Sequence, residues 1–191
     1  GIERSVAFRL QSGMTLYGGF AGTERLLNER AFDAEGTPLH ETILSGEIQD
    51  NQAWTDNAWT VLYADGVSGV ALDTLTISDG RADGPLSTTH PERRAGGGMY
   101  AEQADVILRN TRFANNYAAE SGGAGYSVSG SLDVINSWVE DNVSDGDGAG
   151  LWVGGTAVVT NTVMVGNDAA GSGGGVFAAT AGTTLQNATL A

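Results

Sequence analysis

The chain has 191 residues, 41% of them apolar, a formal net charge of −14 and no cysteine. All nine basic residues other than histidine are arginine, the last being Arg112, so the cation density that phosphate binding needs is absent and neither nucleic acid nor an anionic membrane surface is an expected partner. Without cysteine there is no disulfide framework or thiolate metal site, and no apolar run is long enough to cross a bilayer as a helix, so no membrane insertion is expected.

Strands are expected at 5–10, 14–20 and 42–48, then at 59–64, 69–73 and 74–78. Further turns of the same pattern start near Gly98, Ala124, Ala149 and Gly174. The pattern is a repeat. Val106-Ile-Leu-Arg-Asn-Thr-Arg-Phe113, Leu132-Asp-Val-Ile-Asn-Ser-Trp-Val139, Ala157-Val-Val-Thr-Asn-Thr-Val-Met164 and Thr183-Thr-Leu-Gln-Asn-Ala-Thr-Leu190 superpose without gaps. Their central residues Asn110, Asn136, Asn161 and Asn187 are separated by 26, 25 and 26 positions. A second column, Gly98-Met-Tyr100, Gly125-Tyr-Ser127, Gly150-Leu-Trp152 and Gly175-Val-Phe177, recurs at 27, 25 and 25. A period of this size built on alternating apolar residues indicates a solenoid. The apolar period is 2 rather than 3.6 and the chain holds 29 glycines, which excludes helical repeats.

The expected fold is therefore all-β: a right-handed parallel β-helix of about six coils with three short strands each, the handedness following the rule for parallel crossovers. Residues 1–191 are read as a single β-helix domain, a fragment of a longer chain. Two insertions interrupt it. Residues 21–41 are expected to hold a helical turn capped by Thr23, and residues 80–97, with Gly80, Gly84, Pro85 and Pro91, a loop.

Alternation along a strand predicts three inward columns. They are Val70, Val106, Leu132 and Ala157; Leu72, Leu108, Val134, Val159 and Leu185; and Ile77, Phe113, Val139, Met164 and Leu190. Carried through the corner between the second and third strands, the same parity buries Asn110, Asn136, Asn161 and Asn187 as a hydrogen-bonded structural ladder, with Thr74 in their place in coil two. Asn116, Asn142 and Asn167 form a second column at the end of strand three. The glycosylation patterns at Asn142 and Asn187 are read as chance.

Two groups of side chains are candidates for binding. Tyr100, Ser127, Trp152 and Phe177 have outward parity on the glycine-led sheet and Trp138 on the third, so Tyr100, Trp152, Phe177 and Trp138 could stack on sugar rings. The turn Ser144-Asp-Gly-Asp-Gly148 brings Asp145 and Asp147 near Asp141, with Glu120 and Asp168 on the same edge, a compact oxygen supply for Ca²⁺ as a candidate cofactor. No catalytic residue is singled out. The basic side chains nearest the glycine-led sheet are His90, Arg93 and Arg94, and no Arg, Lys or His follows Arg112.

Gly96-Gly-Gly-Met-Tyr100, Phe113-Ala-Asn-Asn116 and Gly122-Gly-Ala-Gly125 resemble the Gly-Gly-Ala and Phe-x-x-Asn repeats of polymorphic outer-membrane-protein adhesins, and equally the right-handed β-helix repeats of the pectin-lyase-like superfamily. Leu16-Tyr-Gly-Gly-Phe-Ala-Gly-Thr-Glu24 followed by Thr42-Ile-Leu-Ser-Gly46 is similar to the N-terminal part of large secreted bacterial proteins of that type. The resemblance implies export, an extracellular or outer-surface address and a longer parent chain. The function expected is a non-catalytic surface scaffold or adhesin that contacts a polysaccharide or a neighbouring cell surface. The alternatives are a polysaccharide lyase or glycoside hydrolase acting through the 80–97 loop or through missing coils, and a structural element that self-associates end to end through open coils.

Overall fold

A computed structural model describes residues 3–34, 36–49 and 53–191. The chain winds into a parallel β-helix in which each strand pairs with its counterpart one coil away, giving three six-stranded sheets and one four-stranded sheet. The first sheet comprises Phe8–Arg9, Leu62–Asp65, Met99–Glu102, Gly125–Ser127, Leu151–Val153 and Val176–Ala178. The second comprises Thr15–Tyr17, Val70–Asp73, Ala104–Arg109, Gly130–Ile135, Thr156–Thr160 and Thr183–Gln186. The third comprises Ile43–Ser45, Thr76–Ser78, Arg112–Ala114, Trp138–Glu140, Val163–Val165 and Thr189–Leu190.

The fourth sheet is an addition to the three expected strands per coil. It consists of the two-residue strands Arg81–Ala82, Tyr117–Ala118, Val143–Ser144 and Asp168–Ala169. It exists because the chain bends at a row of left-handed residues, Asp79, Asn115, Asp141 and Gly166, at φ 62°, 57°, 52° and 65°. A left-handed residue ends the period-2 alternation and re-aims the strand. The return to the first sheet is made by glycines packed on the neighbouring coil: a Cβ on Gly150 would collide with the Gly175 carbonyl oxygen.

The three apolar columns stack in register. Val70, Val106, Leu132, Ala157, Ile77, Phe113, Val139 and Met164 are all at most 1% exposed, whereas Leu185 and Leu190 keep the register at 43% and 49% exposure. Among the described residues of the insertion at 21–41 there is one 3₁₀ turn, Leu27–Glu29. Its cap is not Thr23, whose amide donates to the Glu24 carboxylate. The Glu29 carboxylate instead accepts from the amides of Arg25 and Leu26, at 2.6 and 3.1 Å. Arg30 fastens this insertion to coil two. It donates to Asp73 at 2.9 Å and to the Thr74 hydroxyl at 3.1 Å, and its guanidinium lies 5.5–5.6 Å from the rings of Tyr17, Phe20 and Phe32.

The two asparagine rows both form ladders, but only one of them faces inward. Asn110, Asn136, Asn161 and Asn187 align as expected, and Asn161 and Asn187 donate to the side-chain oxygens of Asn136 and Asn161 at 3.2 and 2.7 Å, but the row is exposed, not buried. They hold φ of 48–51°, with Thr74 at 60° in the same row. The left-handed turn shifts the inward positions from Leu108 to Thr111, three residues rather than two, and so turns Asn110 out. The residues that follow go inside: Thr111, Ser137 and Thr162 are 1–4% exposed, and the Thr111 and Ser137 hydroxyls are 3.0 Å apart. The inward amide ladder is Asn116, Asn142 and Asn167, the first two buried and the last half-buried. Asn142 Nδ2 donates to the carbonyls of Phe113 and Glu140 and to Asn167 Oδ1, at 3.1, 2.8 and 2.9 Å, while its Oδ1 accepts from the Asn116 amide at 3.0 Å.

Two stability measurements follow. Phe113→Ala should lower the unfolding free energy by about 3–5 kcal/mol through the cavity it leaves. Asn142→Ala should cost about 1–3 kcal/mol through unsatisfied backbone groups, whereas Asn136→Gly, at an exposed left-handed corner, should stay within about 0.5 kcal/mol of the parent. Urea unfolding of the three variants checks both; equal losses at positions 136 and 142 would contradict the assignment of the buried ladder.

Candidate functional site: a groove beside the left-handed corner

On the outer face of the first sheet Tyr63, Tyr100, Tyr126, Trp152 and Phe177 form one stack. Successive ring centroids lie 5.9, 5.7, 4.3 and 6.4 Å apart with interplanar angles of 10–23°. The register pairs Tyr126, not Ser127, with Tyr100 and Trp152. The glycine-led column thus slips by one residue in coil four, and a slip of one reverses every side chain. Ser127 faces inward and is 1% exposed. Arg9 covers Tyr63 at 4.6 Å.

The inner rings of the stack spend both faces on one another. Tyr100 is 2% exposed between its two neighbours, and its hydroxyl donates to Glu102 at 3.0 Å. Sugar stacking needs an open ring face. Tyr100 and Trp152 have a ring on both sides, and Phe177 stacks on Trp152.

The acidic candidates are spread over separate contacts. Asp145 accepts from the Tyr117 hydroxyl at 2.6 Å, and Asp147 Oδ1 accepts from the Ser172 amide at 2.7 Å. Asp141 occupies the left-handed corner between the third and fourth sheets. No group of three or more His, Asp or Glu side chains that could hold a metal ion occurs among the described residues. The basic side chains of the loop are likewise engaged: the His90 ring contacts Glu92 at 3.1 Å, Arg93 lies 4.8 Å over the Trp59 ring, and Arg94 pairs with Glu120 at 3.0 Å.

Trp138 is different. It is 46% exposed and has no ring partner among the described residues. It lines an open groove of about 790 Å³ that runs beside the corner between the second and third sheets. Thr37, Pro38 and Glu41 from the first insertion form one wall, and the exposed asparagine row forms the other side. Asn161 donates to Asn136 Oδ1 at 3.2 Å. That bond leaves the Asn136 Nδ2 open, and the Asn110 side chain makes no hydrogen bond among the described residues. Beside Trp138 in the sheet, Arg112 bridges two carboxylates, donating from Nε to Glu140 at 2.6 Å and lying 3.9 Å from Glu41. The site thus offers one aromatic surface, several neutral donors and acceptors, and a cation already paired. Outward parity found Trp138 from sequence. The wall could not be found that way, because nothing in residues 21–41 specifies where the insertion docks.

The tyrosine environments have a consequence at alkaline pH. Burial pushes up the hydroxyls of Tyr63, Tyr100, Tyr126 and Tyr117, the last to about 12 with help from its hydrogen bond to Asp145. Unfolded tyrosine ionises near 10. The unfolded chain therefore loses these protons first, so their contribution is complete below about pH 10 and declines above it, the part due to Tyr117 being lost as the pH rises through about 12. Urea unfolding at a series of alkaline pH values should show this decline, and Tyr117→Phe should make it shallower; an unchanged slope would remove Tyr117 from the account.

Compared with protein-family models, with curated proteins and with solved structures, the chain matches none.

Proposed function

We propose that the chain is a non-catalytic, glycan-contacting scaffold that works outside the cell as an adhesin-like surface. It would be an exported β-helix of the pectin-lyase-like kind that its Gly-Gly and Phe-x-x-Asn motifs resemble. The observation that carries the glycan reading is Trp138: an exposed indole in a long groove, flanked by the side-chain amides of Asn110 and Asn136. An apolar ring face beside groups that both donate and accept hydrogen bonds matches the two sides of a sugar, its C–H face and its hydroxyl rim. The in-register stack of coils beneath the groove supports this role, because a preorganised surface loses little conformational entropy on binding. A lyase reading has no comparable support: it needs a base free to take a proton, and the basic side chains of the loop are engaged with Glu92, Glu120 or Trp59.

Polysaccharide binding by affinity electrophoresis and by calorimetry, with the parent chain, Trp138→Ala and Trp152→Phe, tests the proposal. Loss of Trp138 should weaken binding by about tenfold or more, corresponding to about 1.4 kcal/mol, while Trp152→Phe keeps the parent affinity. Binding untouched by Trp138→Ala would refute the site.

A further inference from the structure

We infer that the groove selects an uncharged, hydroxyl-rich polysaccharide strand and holds it along the solenoid axis; this rests on the glycan reading of Trp138. Three observations point to it. The groove is long in one direction: Thr42, Thr76, Arg112, Trp138 and Val163 line it from five successive coils. Four coil spacings of about 4.8 Å make a track of about 19 Å, enough for several sugar units in line and too long for one. Apart from Arg112 and its two carboxylates, the polar groups that line it are neutral: the Asn110, Asn136 and Asn161 amides, which repeat with the coil, and the Thr37 and Thr42 hydroxyls of the first coil and its insertion. A hydroxyl both donates and accepts, as a carboxamide does, so the match is to sugar hydroxyls rather than to anions.

The third observation is charge. Arg112 is the only cation lining the groove among the described residues, and it faces two carboxylates, Glu140 and Glu41. Glu41 also accepts from the Thr76 hydroxyl at 2.7 Å, which holds it in place. The lining therefore carries two carboxylates to one guanidinium. An acidic polymer would have to separate these pairs and approach a chain of net charge −14 with no Arg or Lys after Arg112. A neutral strand meets no such repulsion.

The test uses the full chain against neutral polymers (galactomannan and xyloglucan) and against polygalacturonate, each at about 0.05 and 0.5 M salt, conditions that span strong and weak screening. Parallel titrations compare a neutral disaccharide with a hexasaccharide. The expected result is binding of a neutral polymer with less than about twofold change between the two salt concentrations. Polygalacturonate should not bind, and the hexasaccharide should bind at least about tenfold more tightly than the disaccharide. Polygalacturonate binding that falls with salt and disappears in Trp138→Ala would overturn the charge inference while leaving Trp138 as a glycan site. Equal affinity for the disaccharide and the hexasaccharide would overturn the axial track. If no polymer binds, or if Trp138→Ala changes nothing, the glycan reading fails with it.

Discussion

In-register backbone pairing is the constraint from which the rest of the molecule follows. Each coil donates and accepts its main-chain hydrogen bonds to the coil about 4.8 Å away, so any residue type recurring at the period meets its own kind. For apolar residues this yields continuous columns. For Asn116, Asn142 and Asn167 it yields a ladder in which one carboxamide satisfies a carbonyl of the preceding coil and an amide of its own row. Buried polar groups are tolerated here because the stack supplies their partners.

The corners decide which side of the wall a residue occupies. Glycine, asparagine and aspartate take left-handed conformations at low cost, and rows of them mark the bends. One such row, Asn110, Asn136 and Asn161, becomes a line of exposed amides without further design. The insertion at 21–41, fastened by Arg30 against Asp73 and Thr74, lies along that line and converts an open corner into a groove. The candidate site is thus made where an irregular segment meets a regular one, the usual place for function on a rigid scaffold.

How much of this was legible in the sequence differs from residue to residue. The columns through Val70, Leu72 and Ile77 were readable because alternation inside a strand is a strict geometric rule. Burial of Asn136 was misread because that rule stops at a left-handed residue, and its apparent parity belongs to a path the chain does not take. Ser127 has the wrong apparent parity for a related reason: Gly125 looks like the counterpart of Gly98, but Ala124, between Gly123 and Gly125, stands in that row. The pairing of Tyr126 with Tyr100 and Trp152 fixes that register. Trp138 was legible as an outward aromatic, whereas the wall opposite it depends on tertiary docking with no periodic signature.

The aromatic stack also makes the molecule its own optical reporter. Trp152 sits 4.3 Å from Tyr126 and 6.4 Å from Phe177, in different coils. Rings this close couple electronically, so the near-ultraviolet circular dichroism of the native chain carries a contribution that exists only while neighbouring coils are in contact. A solenoid loses structure by nearest-neighbour steps rather than all at once when its coils differ in stability. Separation of the coil bearing Phe177 would alter the tryptophan signal, while the Tyr63 and Tyr100 pair would report on the coils nearer Arg9. The order in which the coils let go is therefore written in light absorbed by side chains that hold them together.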